Sequence, residues 1–66
     1  MQVILNGAEE SVAATTLAEL CIEKMYSTQN LVVELNDAIV SNQSDFGKIG
    51  LQERDRINLF RIVAGG

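Results

Sequence analysis

Only one stretch of this chain repeats its apolar residues at helical spacing. Leu17, Leu20, Cys21 and Met25 recur every three or four positions, with Glu19, Glu23 and Lys24 between them. That spacing predicts a helix over residues 17 to 25 or 26, with the four apolar side chains on its buried face. Thr16 and Glu19 form a capping-box pair at its start, the hydroxyl taking a free backbone N–H and the carboxylate reaching back. Glu19 and Glu23 make a like-charge pair one turn apart, and Glu23 sits near the end where the helix dipole disfavours an acid.

Everything around that helix alternates with the period of a strand. Residues 2–6 place Val3 and Leu5 on one face and Ile4 on the other. Asn6-Gly7 is a strong hairpin signal, because a type I′ turn needs positive φ at both central positions. Residues 8–13 return as a weaker second strand, with Val12 its one large apolar residue. Residues 31–36 read as a third strand, in which Leu31, Val33 and Leu35 alternate with Val32, Glu34 and Asn36. A turn at Asn36-Asp37 leads to a short fourth strand at Ile39-Val40. Residues 41–47 are irregular, with one helical turn at Ser44-Asp45-Phe46, after which Ile49 and Leu51 rejoin the core. Residues 52–55 are a charged, solvated turn. A last strand over 56–63 alternates Ile57 and Leu59 with Asn58, Phe60 and Ile62.

One helix and a mixed sheet bury each other only if the helix crosses one sheet face. The first and last strands are the most apolar, so they belong side by side at the centre. The expected fold is α+β, a β-grasp of four to five strands with one helix across one face, in the order β-β-α-β-β-β. Residues 1–62 form a single domain and residues 63–66 a flexible tail. At 66 residues the chain buries only about 60% of its unfolded surface. It holds one Cys and no His, which leaves neither a disulfide framework nor a conventional zinc site. Cys21 reads as a small buried hydrophobe on the helix, not as a sulfur relay. The net charge of -4 argues against nucleic-acid binding, which depends on Lys and Arg neutralising phosphates. No apolar run approaches a membrane span and no secretory signal opens the chain; a lone Cys suits a reducing setting, so a cytoplasmic location is expected, with a free monomer as the default.

The chain ends Ile62-Val63-Ala64-Gly65-Gly66. Glycine backbone enters spaces that exclude any side chain. Extended residues 63–66 would reach roughly 13–14 Å, at 3.3–3.6 Å each. Ala64, Gly65 and Gly66 are therefore suited to threading a partner's active site. The α-carboxyl of Gly66 is ionised near neutral pH and is a poor electrophile until activated. The tail suits a substrate or carrier, not a catalyst. Ile4, Phe60 and Ile62 lie off the helix-covered face and form a candidate docking patch, with Phe60 the anchor and Arg61 on a polar rim.

With these elements in place, the whole chain resembles the ThiS family, the sulfur-carrier proteins of thiamin biosynthesis within the ubiquitin-like group. The resemblance rests on the opening Met1-Gln2-Val3-Ile4-Leu5-Asn6-Gly7 and on Thr16-Leu17-Ala18-Glu19-Leu20. It rests equally on Val33-Glu34-Leu35-Asn36-Asp37-Ala38-Ile39-Val40 and on the close from Asp55 to Gly66. Many members carry a proline where this chain has Ser41-Asn42, and a glycine where it has Arg54. The resemblance implies that the chain binds no cofactor or metal and is not an enzyme. An E1-like, ThiF-type adenylating enzyme would use ATP and Mg to activate the Gly66 carboxylate. A persulfide derived from a cysteine desulfurase would convert it to a thiocarboxylate. A ThiG-type thiazole synthase would take the sulfur. The alternatives are a MoaD-like carrier for molybdopterin, a ubiquitin-like protein modifier, and an inert β-grasp interaction module.

Overall fold

The computed structural model describes residues 1–63. The elements run β1 (Gln2–Leu5), β2 (Ala8–Ser11), α1 (Leu17–Glu23), β3 (Leu31–Leu35), β4 (Ala38–Val40), a 3₁₀ helix (Gln43–Lys48) and β5 (Arg56–Arg61). All five strands lie in one sheet in the order β2-β1-β5-β3-β4. The β1–β5 pair is parallel and every other pair antiparallel. The β-grasp is thus in place, with β5 at the centre beside β1 and the fourth strand a full member of the sheet.

Two tight turns set the hairpins. Asn6 and Gly7 take φ of +50° and +84°, the left-handed pair that a type I′ turn requires. No atom lies within 4 Å of a Cβ built on Gly7, so glycine serves the dihedral there and not the space. Asn36 and Asp37, at +49° and +72°, repeat the device between β3 and β4. Their short polar side chains tolerate the left-handed region.

The helix opens on Thr16, whose Oγ1 accepts the Glu19 N–H at 3.1 Å. The other half of the box is displaced by one residue. Glu19 Oε1 accepts from the Thr15 N–H and the Thr15 hydroxyl, each at 2.8 Å. Those bonds to Thr15, the backbone one foremost, hold the Glu19 carboxyl below its ordinary value.

The helix closes earlier than its apolar spacing predicts. The Tyr26 N–H bonds to Cys21 O at 2.8 Å and the Met25 N–H to Ile22 O at 3.1 Å, with Met25 at φ +60°. This is a Schellman ending with methionine in the place glycine usually takes. Met25 therefore swings out to 90% exposure instead of lining the core face. Tyr26 turns back and packs against the core. Glu23 does not simply face water near an unfavourable helix end. Its Oε1 accepts the Ala13 and Ala14 N–H groups at 3.0 and 2.9 Å, fastening the β2–α1 connection to the helix.

The core lies between α1 and one sheet face. Leu17, Leu20 and Cys21 from the helix meet Val3, Leu5, Val33 and Ile57 from the sheet, all essentially buried. The 3₁₀ helix adds Phe46, also buried, beside α1. Burial pushes the Cys21 thiol pKa up, which disfavours the thiolate that a sulfur relay would need.

Residues 52–55 are not simply a solvated turn. Asp55 is only 8% exposed. Its two carboxylate oxygens accept from Asn36 Nδ2 at 2.9 Å and from the Gln52 N–H at 2.8 Å. A buried carboxylate with both oxygens bonded avoids the desolvation cost of an unpartnered one. It locks the turn that launches β5 against the β3–β4 turn.

Candidate functional site

The two ends of β5 are held differently. At its start the strand lies between neighbours: β1 pairs Ile4 with Arg56 and Leu5 with Ile57, and β3 pairs Leu35 with Ile57. The β1 chain then reverses at Asn6, whose Oδ1 accepts the Leu59 N–H at 2.9 Å. From there β5 keeps only β3, through Val33–Leu59, Val32–Phe60 and Leu31–Arg61. A further backbone bond follows, from the Ile62 N–H to Asn30 O at 2.8 Å. The strand ends at Arg61 and not at residue 63, because β3 begins at Leu31 and offers no partner further along.

Exposure follows both the sheet face and the loss of neighbours. Ile57 is fully buried, Phe60 is 52% exposed and Val63 is 85% exposed. Phe60 faces Val32 across the β3–β5 pair, on the sheet side away from α1. Ile62 follows Phe60 at the strand end. Val32 is partly covered and belongs to this apolar group. Strand alternation places Val32 on the open face, but only the register sets it opposite Phe60.

Ile4 does not join that group. The register places it beside Arg56, four residues and about 13 Å along the strand from Phe60. Asn58 stands between them, donating from Nδ2 to Glu34 Oε1 at 2.9 Å. Arg61 has the strand parity of Ile57 and Leu59, so it leaves β5 on the opposite face from Phe60. Its Nη1 donates to Gln29 O at 2.8 Å.

A cleft of about 410 Å³ adjoins the strand end, lined by Thr28, Asn30, Leu31, Val32, Ser41, Asn42, Gln43 and Ile62. Its polar groups are hydroxyls and amides, and no charged side chain lines it. Apart from Ile62, sequence reasoning did not single these residues out for function, since three separate segments of the chain build the cleft. Ala64, Gly65 and Gly66 lie outside the described residues. Among the described residues no group of three His, Cys, Asp or Glu could hold a metal ion. No helix among them is long and apolar enough to cross a membrane.

The geometry defines a class: a ubiquitin-like β-grasp protein whose central strand runs past the end of β1 to an exposed Ile62 and Val63, beside an apolar face. The ThiS family model matches residues 3–66, and the chain belongs to that family. A solved structure, the thiamine biosynthesis protein ThiS from Geobacter metallireducens, has a similar fold, with a TM-score of 0.82 and 21% identity over 100% of both chains. A protein named thiazole synthase from Magnetococcus marinus is 34% identical over 67 residues. That match takes in all of this chain but only 20% of the relative's length.

Proposed function

We propose that this chain carries sulfur to thiazole formation in thiamin biosynthesis, with the Gly66 carboxylate as the reacting group. The observation that carries this reading is the extent of the family match, which runs through residue 66 and so includes Ala64-Gly65-Gly66. The carboxylate must first become an electrophile. Attack of its oxygen on the α-phosphate of Mg·ATP, on a ThiF-type enzyme, releases pyrophosphate and leaves an acyl-adenylate. The terminal sulfur of a persulfide, generated by a cysteine desulfurase, then attacks the acyl carbon and expels AMP. A second thiol cleaves the S–S bond, forming a disulfide and freeing the thiocarboxylate. A ThiG-type synthase takes the sulfur. The Magnetococcus marinus relative supports that last pairing, since a stretch similar to this chain lies within a protein named thiazole synthase.

In this reading the carrier contributes position and surface. Val32, Phe60 and Ile62 form the docking face, and aromatic anchors of this kind dominate interface energetics. Gly65 and Gly66 pass where a Cβ would clash. Gly65→Ala is expected to fold normally and to lose most ATP–pyrophosphate exchange with the adenylating enzyme.

Mass spectrometry of the protein isolated from its host tests the reading. The expected result is replacement of one carboxylate oxygen by sulfur, placed on Gly66 by fragmentation, because oxidation of a methionine or the cysteine adds a similar mass. A tail unmodified in every growth condition, or one joined to lysines of other proteins, overturns it.

A further inference from the structure

The connection between α1 and β3 grips the root of the tail from two sides. Asn30 sits at φ +59°, which turns the chain sharply into β3. Its carbonyl accepts the Ile62 N–H at 2.8 Å, beyond the last β-ladder pair of β5. One residue earlier on each strand, the Gln29 carbonyl accepts from Arg61 Nη1 at 2.8 Å. Consecutive carbonyls of one loop thus hold consecutive residues of the outgoing strand, one through the backbone and one through a side chain. Beyond Leu59 the chain has no β1 neighbour, so the β3 ladder and these two bonds together hold it as far as Ile62.

We infer that Arg61 is a positioning residue for the tail chemistry: by holding the Gln29 carbonyl it fixes the exit path of the chain at Ile62. This inference rests on the carrier reading above. Arg61 lies off the apolar docking face by strand parity, so its contribution runs through the loop and not through direct contact with a partner. A tail that leaves in one direction presents its carboxylate to the activating enzyme in a larger fraction of encounters. Losing that direction lowers the binding-competent fraction, which raises the apparent KM for the carrier while kcat stays nearly constant. One hydrogen bond to an exposed carbonyl sets the scale at about two- to tenfold.

The test uses the full chain and three proteins: wild type, Arg61→Met and Arg61→Lys. Methionine keeps an apolar stem without a donor, and lysine restores a donor. Amide hydrogen exchange of Ile62 is measured on each free protein, and ATP–pyrophosphate exchange is measured with the ThiF-type enzyme. Arg61→Met is expected to lose Ile62 protection by about two- to tenfold, and to raise KM by a similar factor at unchanged kcat and Tm. Arg61→Lys is expected to recover part of both. A raised KM with Ile62 protection unchanged overturns the inference, because Arg61 then acts by touching the enzyme. Unchanged KM in Arg61→Met overturns it as well. Failure of the wild type to be adenylated breaks the carrier reading instead, and the two failures are distinct.

Discussion

The first and second halves of β5 have the same alternation and opposite fates. Ile57 and Phe60 stand three residues apart and on opposite faces of one strand, one fully buried and the other half exposed. The difference lies first in the face, since Ile57 points toward α1 and Phe60 away from it. It lies then in the neighbours, since burial also falls from Ile57 to Leu59 on the α1 face itself. Ile57 has β1 on one side, β3 on the other and α1 across the face. Phe60 has β3 alone, because β1 turns away at Asn6. A strand anchored at one end and released at the other delivers its last residues outward without loosening the domain. The same central strand thus serves the core and the candidate site.

Paired truncations put the largest strain on this comparison. Ile57→Ala removes core volume at the anchored end and is expected to cost about 2–5 kcal/mol of stability in urea titration. Ile62→Ala, at the released end, is expected to stay within about 0.5 kcal/mol of wild type while weakening partner binding. Equal stability losses at the two positions would end the distinction between the halves.

Asp55 sharpens the same point just before the strand begins. Asp55→Ala strips partners from Asn36 Nδ2 and the Gln52 N–H, and is expected to cost about 1–3 kcal/mol. The same measurement on Asp37→Asn, which keeps a residue suited to the left-handed turn and removes only the charge of the exposed pair with Arg56, should show at most about 1 kcal/mol.

Arg54 is expected to move stability the other way. It sits at φ +69°, in the left-handed region, with a loose 3.7 Å contact to Glu9. Arg54→Gly relieves that strain and is expected to raise stability by about 0.5–1 kcal/mol, read as a higher denaturant midpoint. Glycine takes that dihedral without the steric cost a side chain brings.

The smallest expected effect belongs to Glu19, well away from β5. Its carboxyl is lowered from 4.5 by the Thr15 bonds. A lowered folded-state pKa contributes stability that is present above the unfolded value and lost as pH falls through the folded one. The melting-temperature gap between wild type and Glu19→Gln should therefore be full at neutral pH and shrink as the pH drops below 4.5. A gap that stays constant into acid would show that the bonds to Thr15 do not depend on the charge.

Much of this architecture can be read along the chain. Asn6-Gly7 names its turn, Thr16 its helix start, and the alternation through Val3, Leu5, Ile57 and Leu59 the two strands at the sheet centre. These are local signals, each contained within a few residues. The misreadings share a different origin. Met25 keeps perfect helical spacing, but the helix closes before it, since a left-handed residue and two reversed bonds end the ladder. Asp55 looks like a turn acid until Asn36, 19 residues away, completes its bonding. Ile4 and Phe60 share an alternation phase, but the offset between their strands separates them.

Periodicity and turn chemistry act between near neighbours, so the order of elements, the core face and the apolar identity of Phe60 and Ile62 follow from the residues alone. Register acts here between segments more than twenty residues apart in the chain. Which half of β5 is anchored, where the Gln29–Asn30 loop holds Arg61 and Ile62, and that Val32 stands beside Phe60 exist only once β1, β3 and β5 have met. Backbone hydrogen bonding settles that alignment jointly across all three strands, and no stretch of one strand encodes it.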